Sequence, residues 1–298
     1  MATPLGELLT AMVTPFQSDG AVNFASARRL AQHLVESGSD GIVVCGTTGE
    51  GPTVTDREKL DLVDAIVEEV GGSACVVANT GSYDTHHSVA LTRAAHEAGA
   101  DAFLAVTPYY NKPPRAGIIA HFEAIADAAG GRPVIIYNIP QRVVLNLAPD
   151  LLAELSQIPN VVAVKQATAD LDQARAILAD TGLVLYAGND DLLAPFLELG
   201  GRGGVCVASH VAGPQMRRMV ELARKGDMAG MRAQDEALHG LYAALAVTTN
   251  PIPVKAALNL LGHDVGGLRL PLVEADAAQT ATVAAALETA GIRSAARI

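Results

Sequence analysis

The sequence contains no tryptophan, and aromatic residues make up only 4% of its 298 positions. It has three cysteines, Cys45, Cys75 and Cys206, and no CxxC pair. The pattern therefore indicates neither a zinc site nor a redox dithiol. Each cysteine lies in an apolar run, which favours three small buried residues over a thiol nucleophile or a disulfide.

Basic residues are also scarce, since 21 Lys and Arg face 32 Asp and Glu, for a net charge of -11. Because such a chain is repelled by phosphates and anionic lipids, we expect no nucleic-acid partner and no membrane partner. No uncharged apolar stretch approaches the roughly 18 residues that span a bilayer. The first residues carry Glu7 and no Lys or Arg, unlike a targeting sequence. We therefore expect a cytoplasmic protein.

What the sequence does contain is a series of short apolar runs, separated by segments with helical spacing. Continuous apolar runs are typical of strands covered on both faces, as in a parallel sheet with crossover helices. They predict eight strands, at 8–16, 41–48, 74–81, 102–110, 133–140, 161–168, 183–189 and 203–210.

Eight strand-then-helix units predict a (β/α)8 barrel, or TIM barrel, rather than a doubly wound sheet, which usually has fewer strands. After His210 the strand signal stops and the spacing becomes helical. We expect one of these helices to complete the barrel and the rest to form a C-terminal helical appendage. The predicted division is a barrel over 1–225 and a helical region over 226–298. Within the barrel, Asp56 is predicted as a helix N-cap.

The site of a parallel barrel lies at the carboxyl ends of its strands, and Lys165 in VAVKQAT is the most informative residue there. An ammonium inside an apolar strand is costly to desolvate, so burial favours the neutral amine. A neutral lysine can attack a carbonyl and form a Schiff base, an electron sink for carbon–carbon bond making or breaking. The alternative is that the strand ends earlier and Lys165 is a solvated or ion-paired rim residue.

Two further features at predicted strand ends fit such a lysine. Tyr137, one predicted strand earlier, could transfer the protons of carbinolamine formation and dehydration, although a core tyrosine bonded to a backbone carbonyl fits equally. In GTTGE, the glycines around Thr47 and Thr48 allow a tight turn whose N–H groups and hydroxyls could hold a carboxylate. That motif alone is weak, because many strand-to-helix turns resemble it.

Two other patterns give little support for phosphate or metal binding. GGRGGV (200–205) precedes the eighth strand and so falls at the bottom of the barrel, which disfavours a phosphate site. His86, His87 and His121 have no HExxH pattern or second cluster nearby and are interpreted as surface histidines. We predict a metal-free enzyme.

Five segments together resemble the dihydrodipicolinate synthase and N-acetylneuraminate lyase family of pyruvate-dependent class I aldolases. They are GTTGE (46–50), TPYYNKP (107–113), YNIPQR (137–142), VKQAT (164–168) and TNPIPVK (249–255). The resemblance extends over nearly the whole chain, and the common order and spacing of the segments make it specific. It implies a lyase that uses a covalent lysine–pyruvate Schiff base and no other cofactor.

The resemblance implies a catalytic role for four residues. Lys165 would form the Schiff base with pyruvate, and Tyr137 would transfer protons. Thr47 and Tyr110 would complete the proton relay, with Tyr110 reaching in from a neighbouring subunit, so the site would need a dimer. The same resemblance implies a homotetramer built as a dimer of dimers.

It also implies the substrate-binding residues. Thr48 would hold the pyruvate carboxylate, and the guanidinium fork of Arg142 would bind the carboxylate of an aldehyde co-substrate. Gly188 and Val205 are further expected substrate-binding positions.

Arg142 and Tyr110 favour the synthase branch of the family over the neuraminate lyase branch. The implied reaction is condensation of pyruvate with L-aspartate 4-semialdehyde to 4-hydroxy-tetrahydrodipicolinate, in lysine and diaminopimelate biosynthesis. One alternative is another pyruvate aldolase, acting on N-acetylneuraminate or a 2-keto-3-deoxy sugar acid. Another is a barrel that has lost catalysis and binds a small molecule.

Several positions depart from the family pattern and leave room for a different aldehyde. Gly51 stands where Ser is usual, Gln166 where Glu is common and Asn189 where the first Asp of a GDD sequence is common. Residues 143–145, VVL, replace a more common Thr-Gly start. None of these changes removes a catalytic group.

Three more positions bear on feedback inhibition. Tyr83, His87 and Asp56 stand near the places where lysine-inhibited relatives carry an asparagine, a glutamate and a histidine. Losing the glutamate removes a partner for the inhibitor's amino group. We expect weak or absent inhibition by lysine.

Overall fold

Eight parallel strands close into a barrel in the computed structural model, which describes residues 5–293. The strands follow chain order around the barrel, and β8 pairs with β1 to close it. The predicted TIM barrel is confirmed. The strands are β1 Leu8–Ala11, β2 Gly41–Val44, β3 Cys75–Asn79, β4 Ala102–Val106, β5 Val134–Asn138, β6 Val161–Gln166, β7 Val184–Ala187 and β8 Gly203–Cys206.

Helices follow the strands, and further helices after α9 form the C-terminal region that was predicted. Within residues 5–293 none of them is long and apolar enough to cross a membrane. Their bounds are α1 Phe24–Glu36, α2 Asp56–Val70, α3 Thr85–Glu97, α4 Arg115–Ala128, α5 Pro140–Val143, α6 Pro149–Leu155, α7 Leu171–Asp180, α8 Leu193–Leu199, α9 Ser209–Arg224, α10 Met228–Glu236, α11 His239–Leu245, α12 Ile252–Leu260 and α13 Ala277–Thr289.

Each strand divides its side chains between two cores because successive residues point to opposite faces. In β6, Ala163 faces the barrel interior, where it packs with residues such as Leu104 and Ile135. Val164 faces outward into the core between the strands and the helices. Both faces are therefore apolar, which explains the continuous hydrophobic runs in the sequence.

Every strand ends earlier than predicted from the sequence, and the residues that follow form the loops at the carboxyl end. Positive φ occurs in these loops, at Cys45 (φ 57°) directly after β2 and at Tyr110 (φ 70°) further along the loop after β4. A residue at positive φ does not have the regular conformation of a strand. The apolar pattern continued past the strands because residues such as Ile139 and Ala167 stay buried after leaving the sheet.

The N-cap of α2 differs from the prediction by one residue. The Thr55 side chain accepts the N–H of Glu58, and the Glu58 side chain accepts the N–H of Thr55, which forms a capping box. Asp56 is therefore the first helical residue and not the cap. Its negative charge lies at the positive end of the helix dipole, which is favourable.

The helices after β7 also differ in detail from the sequence pattern. The helical spacing after His210 is interrupted in the structure, where it divides into separate helices such as α10 and α11. The predicted boundary between residues 225 and 226 falls in the turn that joins α9 and α10. The outer ends of the two predicted regions, 1–4 and 294–298, lie outside the described residues.

One histidine was misplaced by the sequence analysis. His121 is not on the surface but is 2% exposed on α4, where its Nδ1 lies 2.9 Å from the Thr85 hydroxyl. Burial lowers the pKa of His121 to about 4. A neutral imidazole with one hydroxyl partner fits this mostly apolar site.

Candidate active site

Lys165 lies on β6 with its side chain directed into the barrel and is 5% exposed. It pairs in register with Tyr137 on β5, and its Nζ lies 4.3 Å from the centroid of the Tyr137 ring. The strand continues past Lys165, so the alternative of a solvated rim residue does not hold. A second buried lysine, Lys255, forms a salt bridge with Glu50, whereas no salt bridge within residues 5–293 includes Lys165.

A cavity of about 730 Å³ opens above Lys165 at the carboxyl end of the barrel. It brings together six of the eight residues that the sequence analysis selected. They are Thr47, Thr48, Tyr137, Arg142, Lys165 and Gly188. These residues come from loops and strands that are distant in sequence, as expected for a barrel rim.

The GTTGE turn follows β2 and presents two threonines to the cavity. The N–H of Glu50 donates to the Thr47 carbonyl at 3.1 Å, which closes the turn. The Thr48 hydroxyl accepts a hydrogen bond from Nδ2 of Asn250 at 2.9 Å. A Cβ at Gly51 would overlap the carbonyl oxygen of Cys45, so the close approach of the backbone here requires the glycine found in this sequence.

Arg142 lies on the short helix α5, directly after the strand that carries Tyr137. Its guanidinium borders the cavity and donates to the carbonyl of Asn250 over 3.5 Å, a long contact. The guanidinium therefore keeps most of its donors free for another acceptor.

The two remaining predicted residues lie apart from this cavity. Val205 is fully buried in the barrel interior and is not among the residues that line it. Tyr110 is 91% exposed and lines neither this cavity nor the one beside it. One chain therefore does not bring Tyr110 to Lys165.

A second cavity of about 620 Å³ adjoins the first and shares Thr47, Tyr137 and Arg142 with it. Tyr83 and His87 line this cavity. The ring of Tyr83 packs edge-on against Tyr109 at 5.1 Å. His87 Nε2 lies 2.6 Å from Asp56 Oδ2. Partial burial raises the pKa of Asp56, but the hydrogen bonds from His87 and Lys59 lower it by more, so the net effect is a lowered pKa.

The C-terminal region supplies part of the site, which the sequence analysis did not assign. Asn250 bonds to Thr48, and its Oδ1 is buried without a hydrogen-bond partner. His239 and Tyr242, on α11, also line the first cavity. The strand-end rule could not find these residues, because they follow no strand. The TNPIPVK segment was a signal for Asn250, but it contains neither His239 nor Tyr242.

Asp190 follows β7, and the sequence analysis assigned no role to it. It accepts the backbone N–H groups of Val207 at 2.8 Å and Ala208 at 3.0 Å. Burial raises the pKa of Asp190, and these two hydrogen bonds oppose the shift. Asp190 therefore joins the loops after β7 and β8 beside Lys165.

Gln166, which stands where Glu is common in the family, places its side chain outside the cavity. Gln166 accepts from Asn138 Nδ2 at 2.9 Å and donates to the Thr168 hydroxyl at 3.0 Å. Both amides are fully buried, and a neutral network satisfies them. Gln166 does not line either cavity, so it does not select the substrate directly.

Metal ligands are not clustered in the part of the chain that the structure describes. No group of three or more His, Cys, Asp or Glu side chains there could hold a metal ion. The prediction of a metal-free reaction stays a prediction.

A buried strand lysine beside a tyrosine, at the carboxyl end of a (β/α)8 barrel, defines a class I aldolase type of site. The Dihydrodipicolinate synthetase family model matches residues 4–290. The chain belongs to this family, and the family predicted from the sequence is confirmed.

Relatives and solved structures agree with this assignment. The chain is 49% identical over 278 residues to the 4-hydroxy-tetrahydrodipicolinate synthase of Desulforudis audaxviator, covering 92% of this chain and 94% of that protein. It is 47% identical over 293 residues to the protein of the same name from Thermosynechococcus vestitus, covering 97% and 99%. The crystal structure of DHDPS from Cyanidioschyzon merolae with lysine bound superposes with a TM-score of 0.95 at 42% identity, covering 97% and 99%. These names favour the synthase branch over the sugar-acid aldolases.

Proposed function

We propose that the chain condenses pyruvate with L-aspartate 4-semialdehyde to give 4-hydroxy-tetrahydrodipicolinate, in lysine and diaminopimelate biosynthesis. The observation that carries the proposal is the buried lysine, Lys165, which has Tyr137 beside it and no salt bridge to any of residues 5–293. Family membership and the names of the relatives support the choice of substrates.

The first half of the reaction activates pyruvate. The neutral amine of Lys165 attacks the ketone carbon, and the ketone oxygen takes up protons and leaves as water, which forms the Schiff base. Tyr137 supplies and accepts these protons. Thr47 of the same subunit and Tyr110 of the partner subunit complete the path by which protons pass between Tyr137 and solvent. Thr48 holds the pyruvate carboxylate through its hydroxyl and the N–H groups of the turn.

The second half forms the carbon–carbon bond. Loss of a proton from the pyruvate methyl carbon gives an enamine, whose carbon attacks the aldehyde carbon while the aldehyde oxygen takes a proton. The amino group of the second substrate then adds to the imine carbon and displaces Lys165, which closes the ring and frees the enzyme. Arg142 holds the carboxylate of this second substrate with two parallel hydrogen bonds. Every step uses side chains and requires no metal.

We propose a homotetramer made of two tight dimers as the working form. The support is the position of Tyr110, which is 91% exposed and away from its own site, as a residue donated to a neighbour would be. Cytoplasmic location is proposed from the three cysteines, which are unpaired in the described chain.

The second cavity contains Tyr83 and His87, two of the positions related above to inhibition by lysine. We still expect this inhibition to be weak or absent. The Asp56 carboxylate is already occupied by His87 at 2.6 Å, so it is less available to an added ammonium group. Inhibition assays with increasing lysine test this expectation, and strong inhibition at sub-millimolar lysine would contradict it.

A substrate panel tests the proposed reaction. We expect turnover of pyruvate with aspartate 4-semialdehyde and no cleavage of N-acetylneuraminate or 2-keto-3-deoxy sugar acids. Activity with the sugar acids alone would overturn the proposal.

Arg142→Ala should raise KM for the aldehyde about 10-fold or more, because it removes a charge-assisted pair of hydrogen bonds to the carboxylate of that substrate. KM for pyruvate should stay unchanged. The control is Arg115→Ala, which removes an exposed arginine paired with Asp150 and Glu154 outside both cavities.

A further inference from the structure

A buried ion pair holds the last residue of the GTTGE turn. Glu50 Oε1 lies 2.6 Å from Lys255 Nζ, and the two side chains are 0% and 1% exposed. The second carboxylate oxygen of Glu50 accepts the backbone N–H of Arg269 at 3.0 Å. Lys255 also donates to the Gly267 carbonyl at 2.6 Å and lies 4.3 Å from the centroid of the Phe16 ring. Both charges are therefore removed from water and paired with each other.

The pair holds Glu50 in a backbone conformation that a non-glycine residue rarely adopts. Glu50 has φ 54° and ψ 33°, in the left-handed region. Its N–H closes the turn by donating to the Thr47 carbonyl, which leaves Thr48 and Gly49 in the two central positions. Because the side chain of Glu50 is held by Lys255, the backbone cannot relax to a more favourable φ without breaking the ion pair.

The segment that carries Lys255 contacts the turn a second time. Asn250, which precedes α12, donates from Nδ2 to the Thr48 hydroxyl at 2.9 Å. This bond uses a lone pair of the hydroxyl and leaves its proton to be donated elsewhere. One stretch of the C-terminal region, from Asn250 to Lys255, therefore holds the turn at Thr48 and at Glu50.

We propose that Glu50 and Lys255 are positioning residues for pyruvate: their ion pair sets the turn so that Thr48 faces the pyruvate carboxylate. Neither side chain touches the substrate, because both are buried away from the cavity. The inference rests on the proposed role of Thr48 in binding pyruvate.

The positioning role differs from a role in stability alone. A buried ion pair often contributes little net stability, and a neutral pair of similar volume can replace it, whereas loss of one partner leaves a buried charge. If the pair only stabilised the fold, its replacement would change the melting temperature without changing the affinity for pyruvate. If it positions the turn, KM for pyruvate must rise even in a stable variant.

The test compares Glu50→Gln, Lys255→Met and the double variant, in which both charges are absent and the volume is kept. In the double variant we expect KM for pyruvate to rise about 10-fold, because Thr48 is no longer held in position and part of the binding energy for the carboxylate is lost. KM for aspartate 4-semialdehyde should stay within about twofold, a change too small to indicate a lost contact. The matched control is Val254→Ala, a fully buried residue next to Lys255 on α12, which should lower the melting temperature and leave KM for pyruvate unchanged.

Two results would overturn the inference. One is an active double variant with the KM for pyruvate of the unmodified enzyme, and the other is an equal rise in Val254→Ala. Glu50→Gln alone gives a second arm should the double variant fail to fold, because the amide keeps the volume of the side chain and its oxygen can still accept the N–H of Arg269. An unchanged KM for pyruvate in this variant also contradicts the inference. Lack of any pyruvate adduct in the unmodified enzyme would instead refute the proposed function.

Discussion

Two tyrosines flank Lys165 in register, and they are placed for different tasks. Tyr137 pairs with Lys165 on one side and lines the cavity. Tyr186 pairs with it on the other side, but its hydroxyl donates to the carbonyl of Gly6 at 2.7 Å, at the amino end of the barrel. Only the first phenol is available for the proton transfer that we propose at Lys165.

This difference gives the first prediction. Tyr137→Phe should lower kcat by about 10²-fold or more, because proton transfer by a positioned side chain contributes about that much. Tyr186→Phe should retain most of the activity and lose only some stability, since it removes one buried hydrogen bond. Steady-state kinetics of the two variants, measured with both substrates, check this difference. Equal effects of the two substitutions would count against a proton-transfer role for Tyr137.

Residues on strands could be found from the sequence, and residues on the C-terminal region could not. Lys165 and Tyr137 are polar interruptions of apolar runs, so the strand pattern placed both at the same rim. Asn250 lies in a turn between two helices, and no periodicity relates that turn to the barrel. Its contact with Thr48 is separated by 202 positions in sequence and depends on how α11 and α12 pack.

At the scale of elements, the chain after β5 carries local strain. Val144 ends α5 with φ 71° and ψ -37°, which a β-branched residue adopts only at a cost. The side chain is 63% exposed, so it gains little from burial. This is the stretch where the sequence departs from the family's Thr-Gly pattern, and glycine would adopt the same backbone conformation without strain.

Val144→Gly should therefore raise the free energy of unfolding by about 1 kcal/mol, the relief of strain less the entropy lost by a glycine. Urea titration measures the change. Val247→Gly is the matched control, since Val247 is also exposed but does not have positive φ. It should be neutral or destabilising. A loss of stability in Val144→Gly would show that Val144 is not strained.

The order and number of the strands could be predicted because each strand is buried on both faces and so has a distinct apolar run. Their carboxyl ends could not, because residues such as Ile139 and Ala167 stay buried in the loops. Short helices were also missed. The four residues of α5 are too few to show helical periodicity.

At the scale of the whole molecule, buried histidines make the fold sensitive to acid. His210 is fully buried, with Nδ1 near the Val207 carbonyl at 2.8 Å and Nε2 accepting the N–H of Val13. Burial, with smaller contributions from His33 and His263, lowers the pKa of His210 to about 4. His121 is similarly buried and has a similarly lowered pKa.

The sign of the pH dependence follows from these shifts. Between about pH 6.5 and about pH 4 the unfolded chain binds protons at these histidines and the folded chain does not, so stability falls as the pH falls. The loss is up to about 3 kcal/mol for each histidine. Urea titrations at several pH values in this range measure how the free energy of unfolding changes with pH. His210→Gln should reduce this dependence of stability on pH. An unchanged dependence in His210→Gln would contradict this assignment.

The proposed sharing of sites between subunits gives a second prediction at this scale. Lys165→Ala and Tyr110→Phe should each be nearly inactive, while co-expressed subunits should regain about a quarter of the normal activity if they pair at random. Half of such dimers are mixed, and each mixed dimer has one complete site. Activity of purified mixed dimers measures this directly. No recovery would mean that Tyr110 does not act across the interface.

Trapping of the covalent intermediate tests the central claim most directly. The enzyme is incubated with pyruvate, reduced with borohydride, digested and analysed by peptide mass spectrometry. We predict one pyruvyl adduct, on the peptide that contains Lys165, and none on the peptide that contains the ion-paired Lys255. An adduct on any other lysine, or no adduct at all, would contradict the account.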